Sequence, residues 1–480
     1  MPTILRLPRW SMYLLMLVLA VTAFLYLGAD FPNHSRWTDD AARYTDDAWY
    51  IGGAINHALT GRWLHSGDFN AMVPVPAWPL LIGLVFHFTG VSVIAARAIA
   101  ICFAIATVLL AGVIMRRRHP QLAPAFMLLV AASPIFFFFS RTALIEPSLI
   151  FLITASLWAA YTAEDAGTSR LLLCGLIFAA AMIDKSNAIF AAPAVFYLIW
   201  FPYRTNWRHS LRPLGIAGGT FVVLEVIYLL LWVHPHQADF VFYSSLNTPT
   251  INLRSIEKFI RIFYRGFTWL DPILFPIAGV AFLASLTRLR SLWKDPLFGS
   301  SILFVWGWIF FMVLHVDAGP HYLVVIVFPI MLALLLVLET LDRIKPNLGS
   351  AFGALLLVVV VLNLGLIVKY MVHPQYTLRD ACLQMARKID ADPSVSRLVI
   401  GHASKEITLY TGIPALDDMG IESVADKMHD EHPGWIATYE YGLPAMETPE
   451  LMSQFKYTKV GEYPVLDQDH KWVLMKIETK

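Results

Sequence analysis

Apolar residues in this chain fall in long, nearly unbroken runs separated by short polar breaks. Half-buried strands would show alternation and soluble helices a one-sided stripe, so the pattern points to buried or lipid-facing helices. About 20 apolar residues are needed to cross the hydrocarbon of a bilayer. Eleven runs approach that size, near residues 10–28, 91–115, 121–140, 147–162, 171–183, 188–202, 213–233, 271–287, 297–315, 322–341 and 351–370. They predict an α-helical polytopic membrane protein with about 11 transmembrane helices. Residues 77–90, AWPLLIGLVFHFTG, are apolar but short, and read as a helix at the membrane interface or a re-entrant one.

Cationic residues give the orientation. With the N-terminus inside, the inner loops hold Arg6, Arg9, Arg116, Arg117, Arg118, Arg170, Arg204, Arg208, Arg212, Arg288, Arg290, Lys294, Arg343 and Lys345, while the longer outer loops hold fewer. The first loop and the C-terminus then face outward, and the first run, lacking a small-residue cleavage site, reads as a retained anchor. From residue 374 the pattern changes. TLRDACLQMARKI, KEITLYTG and IESVADKMHDE read as helices, and RLVIGH, WIATYE and KWVLMKIE as strands. Residues 1–373 therefore form a transmembrane domain and 374–480 a small extracytoplasmic α/β domain.

Composition narrows the class. The 480 residues are 57% hydrophobic and only 15% charged, with a net charge of +1, against about 25% charged residues in ordinary soluble domains. One soluble globule, a disordered chain and a nucleic-acid binder are thereby excluded, and three cysteines make no disulfide framework. Membrane lipids are the expected surroundings.

Four clusters could carry chemistry. In TDDAARYTDDAWYIGGAINHALTGRW, Asp46 and Asp47 adjoin an amphipathic helical stretch. Neighbouring carboxylates repel, so one can stay ionised and accept a proton from a hydroxyl, or one can serve merely as a helix N-cap. In SRTALIEPS, residues 140–148, Arg141 and Glu146 lie near membrane depth, as functional groups or as an interfacial salt bridge. Asp184, Lys185, Ser186 and Asn187 form a polar knot whose lysine suits a phosphate, although a polar turn explains it equally well. HVDAGPHY contains His315, Asp317, His321 and Tyr322; the spacing is poor for zinc and fits a polar loop at a substrate site better. Beyond these, Arg254, Lys258, Arg261 and Arg265 share one helical face that meets a lipid phosphate or anionic headgroups. Nucleotide-binding and zinc-protease motifs are absent.

The first loop resembles that of the polyprenyl- and dolichyl-phosphate-sugar-dependent membrane glycosyltransferases, the C superfamily that includes protein O-mannosyltransferases and bacterial aminoarabinose transferases. Its register matches at Asp46, Asp47, Tyr50, Ala54, Asn56, Gly61 and Trp63, with Asp39 and Asp40 as a competing acidic pair outside that register. The resemblance continues through the proline-rich segment 74–79, then Gly90, Val91 and Arg97, SRTALIEPS, residues 175–187 and HYLVVIVFP, and covers residues 1–340. One departure is the absence of a lysine from the proline-rich segment, which speaks against aminoarabinose transfer.

The resemblance implies inverting transfer of a sugar from a polyprenyl-phosphate donor to an acceptor hydroxyl of a protein, lipid or glycan at the outer face. Asp46 would be the base, with Asp47 and Glu146 as further catalytic carboxylates. Arg141, Lys185, Arg261 and Arg265 would hold the donor phosphate, and Tyr50, Asn56, His321 and Tyr322 would line the substrate site. No cofactor is expected, although the family leaves a divalent metal open. A transporter and a lipid-linked glycan ligase are the alternatives; a transporter usually shows two related halves, and none are visible here.

Overall fold

The computed structural model describes residues 7–31, 37, 46–247, 254–287, 290–315, 319–465 and 470–480. Asp39, Asp40 and Asp317 lie outside the described residues. The N-terminal part comprises α1 (Arg9–Ala23), α2 (Asp46–Trp49), α3 (Gly52–Thr60), α4 (Ala77–Thr89), α5 (Val93–Arg116), α6 (Ala123–Ala131), α7 (Pro134–Phe139) and α8 (Glu146–Tyr161), followed by longer helices to Val372. Every predicted apolar run falls on helix, and the short 77–90 segment becomes α4.

Among the described residues six helical stretches are long and apolar enough to cross a membrane by length and composition: Val93–Arg116, Ser186–Tyr203, Trp207–Leu246, Pro296–Leu314, Pro320–Ile344 and Pro346–Asp390. The other runs make shorter helices, so helix length alone does not reach the expected eleven. Run 121–140, for example, is split where Ser133 turns extended and Pro134 begins a new helix.

Burial sorts the long helices. Val327–Ile344 is central, with every residue from Val327 to Leu338 buried, whereas Leu211–Tyr228 buries only Pro213 and Ala217. Leu211–Tyr228 meets Thr168–Asp184 backbone to backbone: a Cβ on Gly175 would come within 2.4 Å of the Ala217 carbonyl oxygen. Small residues allow such contact where no hydrophobic effect drives helices together. The proline-rich segment is held from the same helix. Tyr228 Oη donates to the carbonyls of Val73 and Pro74 at 3.0 and 3.1 Å, and Trp232 Nε1 to that of Val73 at 3.0 Å.

The tail carries one sheet of five strands, β1 (Val399–Gly401), β2 (Ala415–Asp417), β3 (Trp435–Tyr439), β4 (Phe455–Val465) and β5 (His470–Thr479), in the order β2-β1-β3-β5-β4. β1 pairs in parallel with β2 and β3, while β5 is antiparallel to β3 and β4. β1 and β3 are buried throughout, as parallel strands covered on both faces should be. Gly401 ends β1 at φ +151°, and a Cβ there would meet the Ala437 carbonyl oxygen at 2.4 Å.

At the other end of the helices, His119 fastens three segments. Its Nε2 lies 2.7 Å from Asp295 and its Nδ1 3.2 Å from Glu339. Burial opposes the charge, but hydrogen bonds to both carboxylates outweigh it and raise the imidazole pKa to about 9. A group raised above its unfolded value, about 6.5, stabilises fully below that pH and loses the contribution as pH rises through the folded value. His119→Ala should therefore lower the melting midpoint of the detergent-solubilised protein near ~pH 6 and have little effect near ~pH 10. A gap between wild type and variant that stays constant over that range would refute the imidazolium clamp.

Candidate active site

Three sequence motifs meet beside the first loop. Asp47, the second residue of α2, is buried; its Oδ2 accepts from Arg97 Nε and Nη2 at 3.0 and 2.6 Å, and its Oδ1 accepts from the Ala143 amide at 2.6 Å. The carboxylate thus joins the first loop to α5 and to SRTALIEPS, and caps no helix of its own. The amide of Ala48 is met instead from the tail, by Glu406 Oε1 at 3.1 Å. Burial, then the charge of Asp47, pushes the Glu406 carboxyl well above its usual range, with Arg97 pulling the other way.

SRTALIEPS turns inward from there. Trp78 Nε1 donates to the Ala143 carbonyl at 3.0 Å, Ser148 Oγ to Asp184 at 2.8 Å, and Lys185 Nζ lies 2.5 Å from Glu146 Oε1. Glu146 is fully buried and Lys185 nearly so, making an ion pair out of bulk water. The ammonium lies 5.0 Å from the centres of both the Tyr50 and Tyr322 rings, a cation between two π faces. Tyr50 interacts with Tyr243, and burial, then Tyr243, Asp46 and Glu146, raise its hydroxyl pKa well above the ordinary value. Asp46 is half-buried on α2, and its charge reaches Tyr50, Tyr243 and Tyr322.

Of the residues singled out in the sequence, Asp46, Tyr50, Glu146, Lys185 and Tyr322 are brought together. His321 packs against Tyr322 with ring centres 3.9 Å apart and planes tilted by 42°, and Tyr322 Oη lies 3.4 Å from His315 Nε2. Arg141 is elsewhere: it donates to the carbonyls of Ala23 and Leu25 and lies over the Tyr370 ring at 5.3 Å. The expected phosphate ligand instead satisfies the open end of α1, where helical carbonyls lack partners. Asn56 lies on α3, and no contact joins it to the cluster among the described residues. The helix Arg254–Trp269 carries an outward Arg261, paired with Glu257 at 2.6 Å, and Arg265; its Lys258 donates to the His315 carbonyl at 3.0 Å. That helix therefore adjoins the 315–322 turn. Among the described residues no three His, Cys, Asp or Glu side chains are grouped to hold a metal ion.

Sequence reasoning missed Tyr243, which sits in an apolar stretch, and the residues that dock the tail. Asp68 is buried between Lys405 at 2.8 Å and Lys427 at 2.9 Å, and accepts from the Asp417 amide at 3.0 Å. Burial works against its charge, but the two lysines prevail and hold the carboxyl below its usual range. Asp417 beside it is pushed up to about 7, first by burial and then by the charge of Asp68 against the pull of Lys405.

Residues 72–232 match the family model of dolichyl-phosphate-mannose-protein mannosyltransferase. The undecaprenyl phosphate-α-4-amino-4-deoxy-L-arabinose arabinosyl transferase of Pseudomonas paraeruginosa is 27% identical over 250 residues, and that of Pseudomonas aeruginosa 26%; each match covers 49% of this chain and 42% of the relative. The matched part thus spans less than half the length of those relatives. The crystal structure of ArnT from Cupriavidus metallidurans bound to undecaprenyl phosphate superposes with a TM-score of 0.64 at 13% identity, covering 97% of both chains, and its apo state with 0.60 at 11%. The chain resembles the C superfamily in sequence and in fold. The missing proline-segment lysine had argued against the aminoarabinose branch, yet these C-superfamily relatives carry that name. With the lysine absent, the cations beside the first loop are Arg97, bound to Asp47, and Lys185, which pairs with Glu146 and lies over the Tyr50 ring.

Removing the Asp68 charge leaves two buried ammonium groups without their counter-ion, a loss of about 3–5 kcal/mol. Asp68→Asn should markedly lower the melting midpoint and expose the tail to protease. The triple replacement Asp68→Leu, Lys405→Met, Lys427→Met should recover much of the loss. An Asp68→Asn protein as stable as wild type would show that the docking does not depend on these charges.

Proposed function

We propose that this chain transfers a sugar from a polyprenyl-phosphate donor to an acceptor hydroxyl, with inversion, at the extracytoplasmic face of the inner membrane. The observation that carries the reading is the buried Lys185–Glu146 pair between the rings of Tyr50 and Tyr322, within range of the charge of Asp46. The surplus of Lys and Arg in the inner loops supports the orientation. An apolar cavity of about 150 Å³ lined by Ile309, Ile326 and Ile330, next to the segment bearing Tyr322, suits an isoprenoid chain.

In this mechanism Asp46 removes the acceptor proton as the acceptor oxygen bonds to the anomeric carbon, and the bond from that carbon to the phosphate oxygen breaks with its electron pair. A hydroxyl is far too weak an acid to attack unaided at neutral pH, which is why a base is needed. Lys185 meets the charge that grows on the departing phosphate, and Tyr50 and Tyr322 offer hydroxyls to the same oxygens. Glu146 keeps the lysine in place before the donor arrives. Arg261 and Arg265, on the helix beside the 315–322 turn, add long-range attraction for the anionic headgroup. Asp47 positions Asp46 through Arg97 and the Ala143 amide. A single displacement needs one catalytic carboxylate, whereas retention would require a second as nucleophile.

The test supplies radiolabelled pentosyl and hexosyl undecaprenyl phosphates to membranes containing the full chain. Asp46→Asn should lower transfer by about 10²–10⁴-fold at normal expression. Lys185→Met should weaken both donor binding and turnover. Undiminished transfer by Asp46→Asn rules out this base.

A further inference from the structure

In an open parallel sheet, ligands bind outside the carboxyl ends of the strands, at the point where the strand order reverses. In the order β2-β1-β3, chain progress runs from β1 to β2 on one side and then back past β1 to β3, so the reversal lies between β1 and β3. His402 follows β1 there, and its amide donates to Thr438 Oγ1 of β3 at 3.2 Å. Its Nδ1 lies 3.3 Å from Asp418, just past the end of β2. Tyr441 follows β3; it is stacked on Tyr439 with ring centres 5.4 Å apart and planes 1° from parallel, and Tyr439 stacks on Trp472 in turn. Tyr441 caps that column and is 53% exposed.

This crevice does not stand alone. His402 meets Tyr441 edge-on at 5.5 Å on one side and Trp49 at 5.5 Å on the other. Trp49 belongs to α2, the helix that carries Asp46, and packs on Phe69, which stacks on Tyr243 of the Lys185 cluster. An aromatic wall thus runs from the sheet edge to the candidate base. Among the described residues the buried indole N–H of Trp49 has no hydrogen-bond partner. Flat aromatic faces beside a histidine–carboxylate pair and a spare N–H suit a ring with an apolar face and hydroxyls around its rim.

We propose that the β1–β3 crevice, built from His402, Asp418 and Tyr441 with Trp49, is a carbohydrate subsite that holds the sugar portion of the acceptor. Its role as acceptor subsite rests on the transferase reading, but its binding of sugar does not. The occupant's ring lies against Tyr441, while His402 and Asp418 hydrogen-bond to its hydroxyls and hand the reactive one along the wall toward Asp46.

The experiment is saturation-transfer NMR on the full-length protein in a detergent without a sugar headgroup, with chitobiose, cellobiose and a Ser/Thr-containing peptide as probes. Saturation should reach the disaccharide ring protons and fall about tenfold in Tyr441→Ala and in His402→Ala, about the loss of one aromatic contact with one hydrogen bond. Lys456→Ala on the far edge strand should match wild type. No transfer to either disaccharide, equal signals in wild type and both crevice variants, or saturation of the peptide alone overturns the subsite and leaves the transferase reading standing. A disaccharide signal that depends on Tyr441, in a protein that moves no sugar from any donor, keeps the subsite and removes the transferase reading.

Discussion

A charge taken out of water must bring its counter-charge with it, because an uncompensated buried ion costs several kcal/mol. Three such groupings tie the first loop, the helices and the tail together: Asp47 with Arg97, Glu146 with Lys185, and Asp68 with Lys405 and Lys427. Their partners lie 39, 50 and up to 359 residues apart in the chain. Each pair therefore dictates where a separate piece of backbone must pass. The first loop is held to the helices through Asp47 and to the tail through Asp68.

The same rule divides labour between two adjacent aspartates. Neighbours on a helix point about 100° apart, so Asp46 and Asp47 cannot face one partner. Asp47 takes the inward direction and is saturated by a guanidinium and an amide, which leaves it no capacity to accept a substrate proton. Asp46 faces the tyrosines around Lys185. Of the two carboxylates, Asp46 is the one whose charge reaches Tyr50, Tyr243 and Tyr322.

Much of this was legible because the chemistry is carried by residues that apolar surroundings make conspicuous. Glu146 and Lys185 stand out within hydrophobic runs, and the register around Asp46 drew in Tyr50. Arg141 was equally conspicuous but is used to close the end of α1, since a motif shows that a charge is needed without showing which acceptor it serves. Tyr243 gave no signal, being one aromatic among many in DFVFYSSL. In the tail, helices and the buried strands β1 and β3 followed from their apolar runs, but β4 did not. FKYTKVGEYPV mixes lysines, a glycine and a proline because it pairs on one side with β5, with a register shift between Lys459 and Gly461, and its other edge is charged rather than apolar. Asp68, Lys405 and Lys427 belong to no motif singled out in the sequence, since only the docked fold reveals that they are buried together.

That docking also explains why a small α/β unit should be fixed with buried charge rather than left on a tether. A tethered domain samples many orientations, and any group it presents to a reaction centre pays the ordering entropy each time. Here Glu406 satisfies the Ala48 amide beside Asp46, and Tyr410 Oη lies 3.3 Å from Arg97, so the sheet's helix takes part in shaping the turn that carries the proposed base. Loosening the tail would free that amide and remove one of the partners of Arg97, which would keep its bonds to Asp47 and to the Leu27 and Ala29 carbonyls. The tail is on these grounds part of the site's wall, with its influence transmitted through hydrogen bonds to α2 and α5.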